Sequence, residues 1–183
     1  MRLRNLAVIS ALVPLLAACD DDFNQSWSAL PDTVLLYSVS RPELIGQPSA
    51  YDFYDGVPFV VENPTSTGRW DVVLVDQGNT LALVPASAFN ELDTRAGIAT
   101  IGAQTLEEVE TAPRDTSLYS RQAVPMQLGT VYVIRSRRVD CGIGTGVRYG
   151  KFEPLEIDVA AGTLLMRAVL NPFCSDRKLI PPD

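Results

Sequence analysis

Beyond residue 32 the chain alternates short runs of β-branched and aromatic residues with clusters of glycine, proline, asparagine and aspartate, a pattern that predicts strands bounded by turns. Thr33 to Ser40 (TVLLYSVS) reads as a strand running into a loop marked by Pro42, Gly46 and Pro48. Ala50 to Asn63 suggests two short strands around Asp55-Gly56, with Pro58 limiting pairing in the second. The clearest hairpin joins Trp70 to Val75 and Thr80 to Val84 through Gly78-Asn79, a pair suited to a tight turn with positive φ. Both arms are apolar at successive positions, which predicts burial on both faces of the sheet. Gly97 to Ile101 reads as a further strand. Thr105 and Glu108 have capping-box spacing, so at most one short helix is expected near 105–112, stopped by Pro113. The C-terminal third carries three more strand signals: Gly129 to Arg138, Arg148 to Val159, and Thr163 to Leu170 after Ala161-Gly162. The predicted fold class is all-β, a single antiparallel domain that is sandwich-like or a partly closed barrel.

The first 18 residues follow another pattern. Arg2 and Arg4 precede a 13-residue apolar stretch, Leu6 to Ala18, interrupted by Ser10 and Pro14. It is too short to span a bilayer, and with its basic start and small residues it reads as a secretory signal. Leu16-Ala17-Ala18-Cys19 resembles the bacterial lipobox, which makes Cys19 the expected lipidated first residue of the mature chain. The alternative is an ordinary signal peptide with a coincidental cysteine. One acyl chain holds a protein to a membrane only marginally, whereas two or three anchor it stably. Residues 19–32, acidic and without periodicity, read as a flexible tether, and 33–183 as the β-rich domain. Asp20 after the cysteine fits inner-membrane retention under the enteric sorting rule, and the choice between inner and outer membrane stays open.

Export places the remaining cysteines, Cys141 and Cys174, outside the reducing cytosol, where disulfides persist, and they are expected to pair. The competing reading is two free or metal-binding thiols, although the chain has no histidine and no CxxC spacing.

Cleavage leaves 13 basic against 22 acidic residues, a net charge of −9, and such a surface disfavours nucleic acid. Cys19 to Leu118 carries 16 acidic and 4 basic residues, Tyr119 to Asp183 carries 6 and 9. An anionic ligand therefore favours the C-terminal third. In Val131 to Arg137 the residues Val131, Val133, Arg135 and Arg137 share one parity, so one face is expected to become cationic toward its end. Arg135, Arg137 and Arg138, with Arg148, Tyr149 and Lys151 on the next strand, form the candidate ligand face, because arginine forks match planar oxyanions. The competing reading is internal pairing with the acidic body.

Other chemistry is thin. Without histidine there is no Ser-His-Asp or Cys-His arrangement, and no catalytic or metal-ligating set is assigned. CGIGTG, Cys141 to Gly146, fails the GxGxxG pattern at Val147 and reads as a turn-rich connection. Glu107, Glu108, Glu110 and Asp115 match no calcium-loop spacing and read as a solvated acidic face. The expectation is a protein that is not an enzyme.

The strands RWDVVLVD, GTVYVIRSRR and VRYGKFEPLEIDVAAGTLLMRAVL resemble, in order and character, the HmuY-like haem-binding lipoproteins of bacterial envelopes. In that family a WD strand lies mid-chain, and a late tyrosine, small residue, lysine triplet opens a strand that hairpins into the final one. Trp70, Asp71, Tyr149, Gly150 and Lys151 hold those places here, within a resemblance spanning Trp70 to Leu170. It implies an all-β lipoprotein that captures a hydrophobic ligand, with haem as the family's own. The family's paired histidine ligands have no counterpart, so no ligand residues carry over. Methionine can ligate haem, but Met126 and Met166 are expected to fill the core. The sequence thus predicts a lipid-anchored envelope protein outside the cytosol that binds a small ligand or a partner protein of the envelope, or else serves purely in structure or assembly.

Overall fold

A computed structural model describes residues 27–89, 95–142 and 144–182. Cys19, the signal segment and most of the tether lie outside the described residues.

Among the described residues twelve strands form two five-stranded antiparallel sheets and one small hairpin. The first sheet has the order β1 (Asp32–Tyr37), β12 (Thr163–Leu170), β11 (Tyr149–Asp158), β8 (Val131–Arg135), β6 (Gly97–Gly102). The second has the order β3 (Val57–Phe59), β2 (Ala50–Asp52), β4 (Val72–Asp76), β5 (Leu81–Pro85), β7 (Val124–Pro125). β9 (Val139–Asp140) and β10 (Thr145–Gly146) form the hairpin between β8 and β11. The fold is all-β, a sandwich without barrel closure. Proline sets two details of it. Pro58 lies in β3, at the edge, where a missing N–H costs no ladder bond. Pro154 lies in the central β11, where the ladder shifts register between Pro154 and Glu156 and leaves Leu155 exposed.

Alternate residues from both sheets fill the space between them. Leu36, Leu164, Met166, Phe152, Tyr132 and Ile134 meet Tyr51, Phe53, Val72, Leu74, Leu81 and Leu83. The Tyr132 and Phe152 rings stack at 5.2 Å, and Phe53 packs against Phe152 at 5.6 Å. The Tyr132 hydroxyl donates to the Pro125 carbonyl at 3.1 Å and accepts the Gln127 N–H at 3.0 Å, so a ring of the first sheet also ends on a strand of the second.

The outer face of the first sheet is covered as well. Ala99, Val131, Val133, Tyr149 and Val169 lie under Leu106, Val109, Ala112, Tyr119 and Leu179, with Trp27 and Ala29 packed against them. The packed body therefore includes Trp27 and Ala29, ahead of the first strand. On the second sheet Ala50, Trp70, Val73, Ala86 and Ala96 make a smaller outer cluster. This double covering is why β4 and β5 read as apolar at successive positions: Val72 to Leu74 and Leu81 to Leu83 are all buried. Gly78 in their turn has φ +92°, in the left-handed region expected of that connection.

The helix expected near 105–112 is a single turn. The capping box itself forms, with Thr105 N–H donating to Glu108 Oε2 at 2.8 Å and Glu108 N–H to Thr105 Oγ1 at 3.3 Å. The residues after it pair with the C-terminal tail instead: Leu179 N–H donates to the Glu110 carbonyl and Ala112 N–H to the Arg177 carbonyl. Extended pairing satisfies the backbone while turning Leu106 and Val109 onto the sheet, and that burial outweighs a helical turn.

Cys141 and Cys174 are bonded, with Cα atoms 6.0 Å apart. Cys141 directly follows β9 and Cys174 lies in the tail after β12; the long strands that lead to them, β8 and β12, both flank β11 in one sheet. The bond joins the β9–β10 hairpin to the C-terminal tail. It closes a 33-residue separation, so replacing both cysteines with serine is expected to lower unfolding stability by about 3.5 kcal/mol on the chain-entropy account, read from urea unfolding with midpoint and slope both fitted, the slope rising as the denatured chain loses its cross-link.

Candidate functional site

β8 ends at Arg135, and the alternation that places Val131 and Val133 outward and Tyr132 and Ile134 inward ends with it. The buried Ser136 takes the chain out of the ladder: its N–H donates to the Arg148 carbonyl at 2.9 Å and its hydroxyl accepts the Arg148 N–H at 2.8 Å. Arg137 then turns across to the second sheet, where its guanidinium forks onto Asp52, Nη1 to Oδ1 at 2.5 Å and Nη2 to Oδ2 at 3.1 Å. Nη1 also stands 3.5 Å from Asp71 Oδ2. Asp71 accepts two backbone N–H groups, from Phe53 at 2.8 Å and from Arg137 at 2.5 Å. Both aspartates are fully buried, and the Arg137 side chain is 13% exposed.

Burial pushes the Asp71 carboxyl up to about 7, against Arg137 and the two N–H groups, which favour its ionised form. Burial works the other way on Arg137, but the Asp52 hydrogen bond and the two carboxylate charges outweigh it and raise the guanidinium above its ordinary value. The cluster is a clamp between sheets. A second lies at the other end of β4, where Arg41 bonds Asp76 at 2.7 and 2.9 Å and the carbonyls of Val159 and Ala160, at the β11–β12 turn, at 2.6 Å each. The Arg41 hydrogen bond, ahead of the Gly78 N–H, holds the Asp76 carboxyl below its usual range.

The remaining candidate residues fall into separate surroundings. Arg148 lies over the Tyr54 ring at 3.8 Å and donates to the Tyr54 carbonyl at 2.6 Å, while Arg137 stands 5.8 Å from the same ring. Arg135 donates to the Arg95 carbonyl at 2.9 Å and sits 5.2 Å from the Tyr119 ring, which itself packs near Tyr149. Tyr149 belongs to the covered outer face, and Arg138 is exposed. Lys151 is 3% exposed beneath the 103–112 segment, its Nζ donating to the Val109 carbonyl at 2.9 Å. The six therefore do not share one cationic face. The parity argument stops where the strand stops, and the outer face of the sheet is occupied by other segments.

Sequence reasoning passed over Asp52, Tyr54 and the charge pairing of Asp71. The available signal was an aspartate set inside an apolar strand-forming run, in AYDF and again in RWDV; such a carboxylate is buried, and buried charge needs a partner. The acidic group is engaged locally: Glu107 pairs with Arg167 at 3.2 Å, Glu108 caps Thr105, and Asp115 accepts the Ser117 N–H at 2.9 Å.

Two concavities stand out among the described residues. One, about 170 Å³, is lined by Ala29, Pro31, Leu106, Glu107, Lys151, Val169 and Ile180. The other, about 400 Å³ and more polar, lies along the disulfide between Gly144, Thr145, Gly146 and Ser175. A side chain at Gly146 would meet Cys141 Sγ and Ser175 Oγ at 2.8 Å, so glycine there lets the hairpin close on the bond.

Arg137→Met leaves two buried carboxylates without their cation and is expected to cost about 3–5 kcal/mol, measured by urea unfolding. Asp71 binds its proton more tightly folded than unfolded, so its contribution is complete below pH 3.8 and is lost as pH rises through about 7. Across that window stability is expected to fall with rising pH. Asp71→Asn, although less stable because one backbone N–H then faces an amide donor, should flatten the slope in a pH series of denaturation midpoints. No protein-family profile and no curated protein sequence matches the chain.

Proposed function

We propose that the chain is a bacterial envelope lipoprotein, anchored through Cys19, whose β-sandwich works by binding rather than by catalysis. One observation carries the reading: Cys141 and Cys174 pair with each other, so the folded body makes no demand on the third cysteine, which stands at the end of Leu16-Ala17-Ala18. A disulfide in a chain with a signal-like N-terminus agrees with an oxidising compartment, and a cysteine outside the disulfide framework is accounted for by acylation.

The chemistry of the body supports binding. Asp52 and Asp71, a pair of carboxylates close enough for general acid–base work, are sealed beneath Arg137 and cannot reach a substrate. The recess at Lys151 offers an apolar wall and one cationic side chain, the composition of a small-ligand site. Haem capture draws less support, since Met126 and Met166 are 3% and 0% exposed within the core between the sheets.

Palmitate labelling of the full chain in a bacterial host tests the anchor. Label is expected on the wild type and absent from Cys19→Ala; an uncut, unlabelled wild type in the cytoplasm would refute the reading.

A further inference from the structure

Lys151 is the third residue of β11, opposite Val133 on β8 and Val169 on β12, among Val131, Val133, Tyr149 and Val169, with the Glu153–Arg167 ion pair next along the same face. An ammonium in such a place needs acceptors, for it has three N–H bonds and has been taken out of water. Among the described residues the Val109 carbonyl is its one hydrogen-bond partner, and no carboxylate lies within 4.0 Å. The nearest charges stand further off: Arg167 holds both Glu107, at 3.2 Å, and Glu153, at 2.6 Å, while Glu107 and then Glu110 favour the Lys151 cation only through their fields, against that of Arg167. Burial accordingly pushes the Lys151 amine below its ordinary value.

The recess reaches this lysine from outside. Its walls are Ala29, Pro31, Leu106, Val169 and Ile180, with Glu107 the one acidic residue among them. At about 170 Å³ it exceeds the roughly 150 Å³ of an apolar cavity that admits benzene, so it holds a chain of five or six carbons and nothing as large as a porphyrin. A cation short of acceptors, at a short apolar slot, matches an anion at the end of a short apolar chain.

We propose that the recess binds a short aliphatic monocarboxylate, its carboxylate on Lys151 Nζ and its alkyl chain against Leu106, Val169 and Ile180. The proposal deepens the binding function argued above by naming a ligand class. The carboxylate supplies the missing acceptors, and a charge-assisted bond in a desolvated place is the stronger kind. Glu107, largely exposed on the wall of the recess, disfavours a second carboxylate further along the chain.

The full-length protein in phosphatidylcholine nanodiscs, dialysed against isotopically labelled hexanoate with empty nanodiscs as blank, tests this directly. Saturable binding is expected, with hexanamide, equal in length but uncharged, competing at least about ten-fold more weakly, since a hydrogen bond to a charged group contributes roughly 1.5–3 kcal/mol. Lys151→Met is expected to abolish binding. Ala29→Phe, which fills the recess and leaves the lysine in place, should do the same while keeping the circular dichroism of the sandwich. No saturable hexanoate binding, equal competition by hexanamide, or full binding by folded Ala29→Phe would each overturn the proposal. Its failure would leave palmitate labelling of Cys19 untouched, so the ligand class and the anchored location fall separately.

Discussion

Two aspartates of one sheet and one arginine from beyond the end of the other fix how this sandwich closes. Hydrophobic burial draws the sheets together but is non-directional, and many offsets would bury Leu74 or Ile134 equally well. Asp52 and Asp71 accept far fewer arrangements. Each is fully buried; Asp52 accepts the Tyr54 N–H locally, but the charges of both are met where Arg137 lies across them and the N–H groups of Phe53 and Arg137 point at Asp71. Removing either partner exposes the full desolvation cost of the other, so the cluster penalises a misplaced sheet by more than it stabilises a correct one. Arg41 and Asp76 repeat the device at the far end of β4 with less burial.

The distribution of charge on the surface follows from this. The C-terminal third is rich in arginine, yet Arg137 and Arg148 serve the sheet junction with Asp52, Asp71 and Tyr54, and Arg135 supports a loop through the Arg95 carbonyl. What remains for a ligand on the outer face of the first sheet is Lys151, deep in the covering formed by the 103–112 segment, the tail and residues 27–31. That covering ties the N-terminal entry to the body close to the recess, through Ala29 and Pro31.

Much of the fold was legible because strand patterns and turn chemistry agree. Thr163 to Leu170 is β12 residue for residue, and the Gly78-Asn79 hairpin and its doubly buried arms follow from local composition; the cysteine pair is expected from a signal-like N-terminal pattern. The single turn in place of a helix was not legible. Thr105 and Glu108 make every contact a capping box promises, and only the distant tail residues Arg177 and Leu179 decide against the helix. The ligand face failed for a related reason: parity describes a strand, and β8 ends two residues before Arg137. Asp52 and Asp71 stood in plain view within apolar runs, but their common partner lies 85 and 66 residues away.

The clamp is most directly tested at the backbone it protects. Arg137 lies outside any strand, and its N–H has only the Asp71 carboxylate to hold it; Phe53, one residue past the end of β2, is held the same way. Native-state hydrogen exchange should therefore find both amides exchanging as slowly as the central residues of β8 and β11, through global unfolding. Exchange of Arg137 and Phe53 at the rate of the exposed loops, with the strands still protected, would contradict the claim that this buried charge cluster holds the two sheets in place.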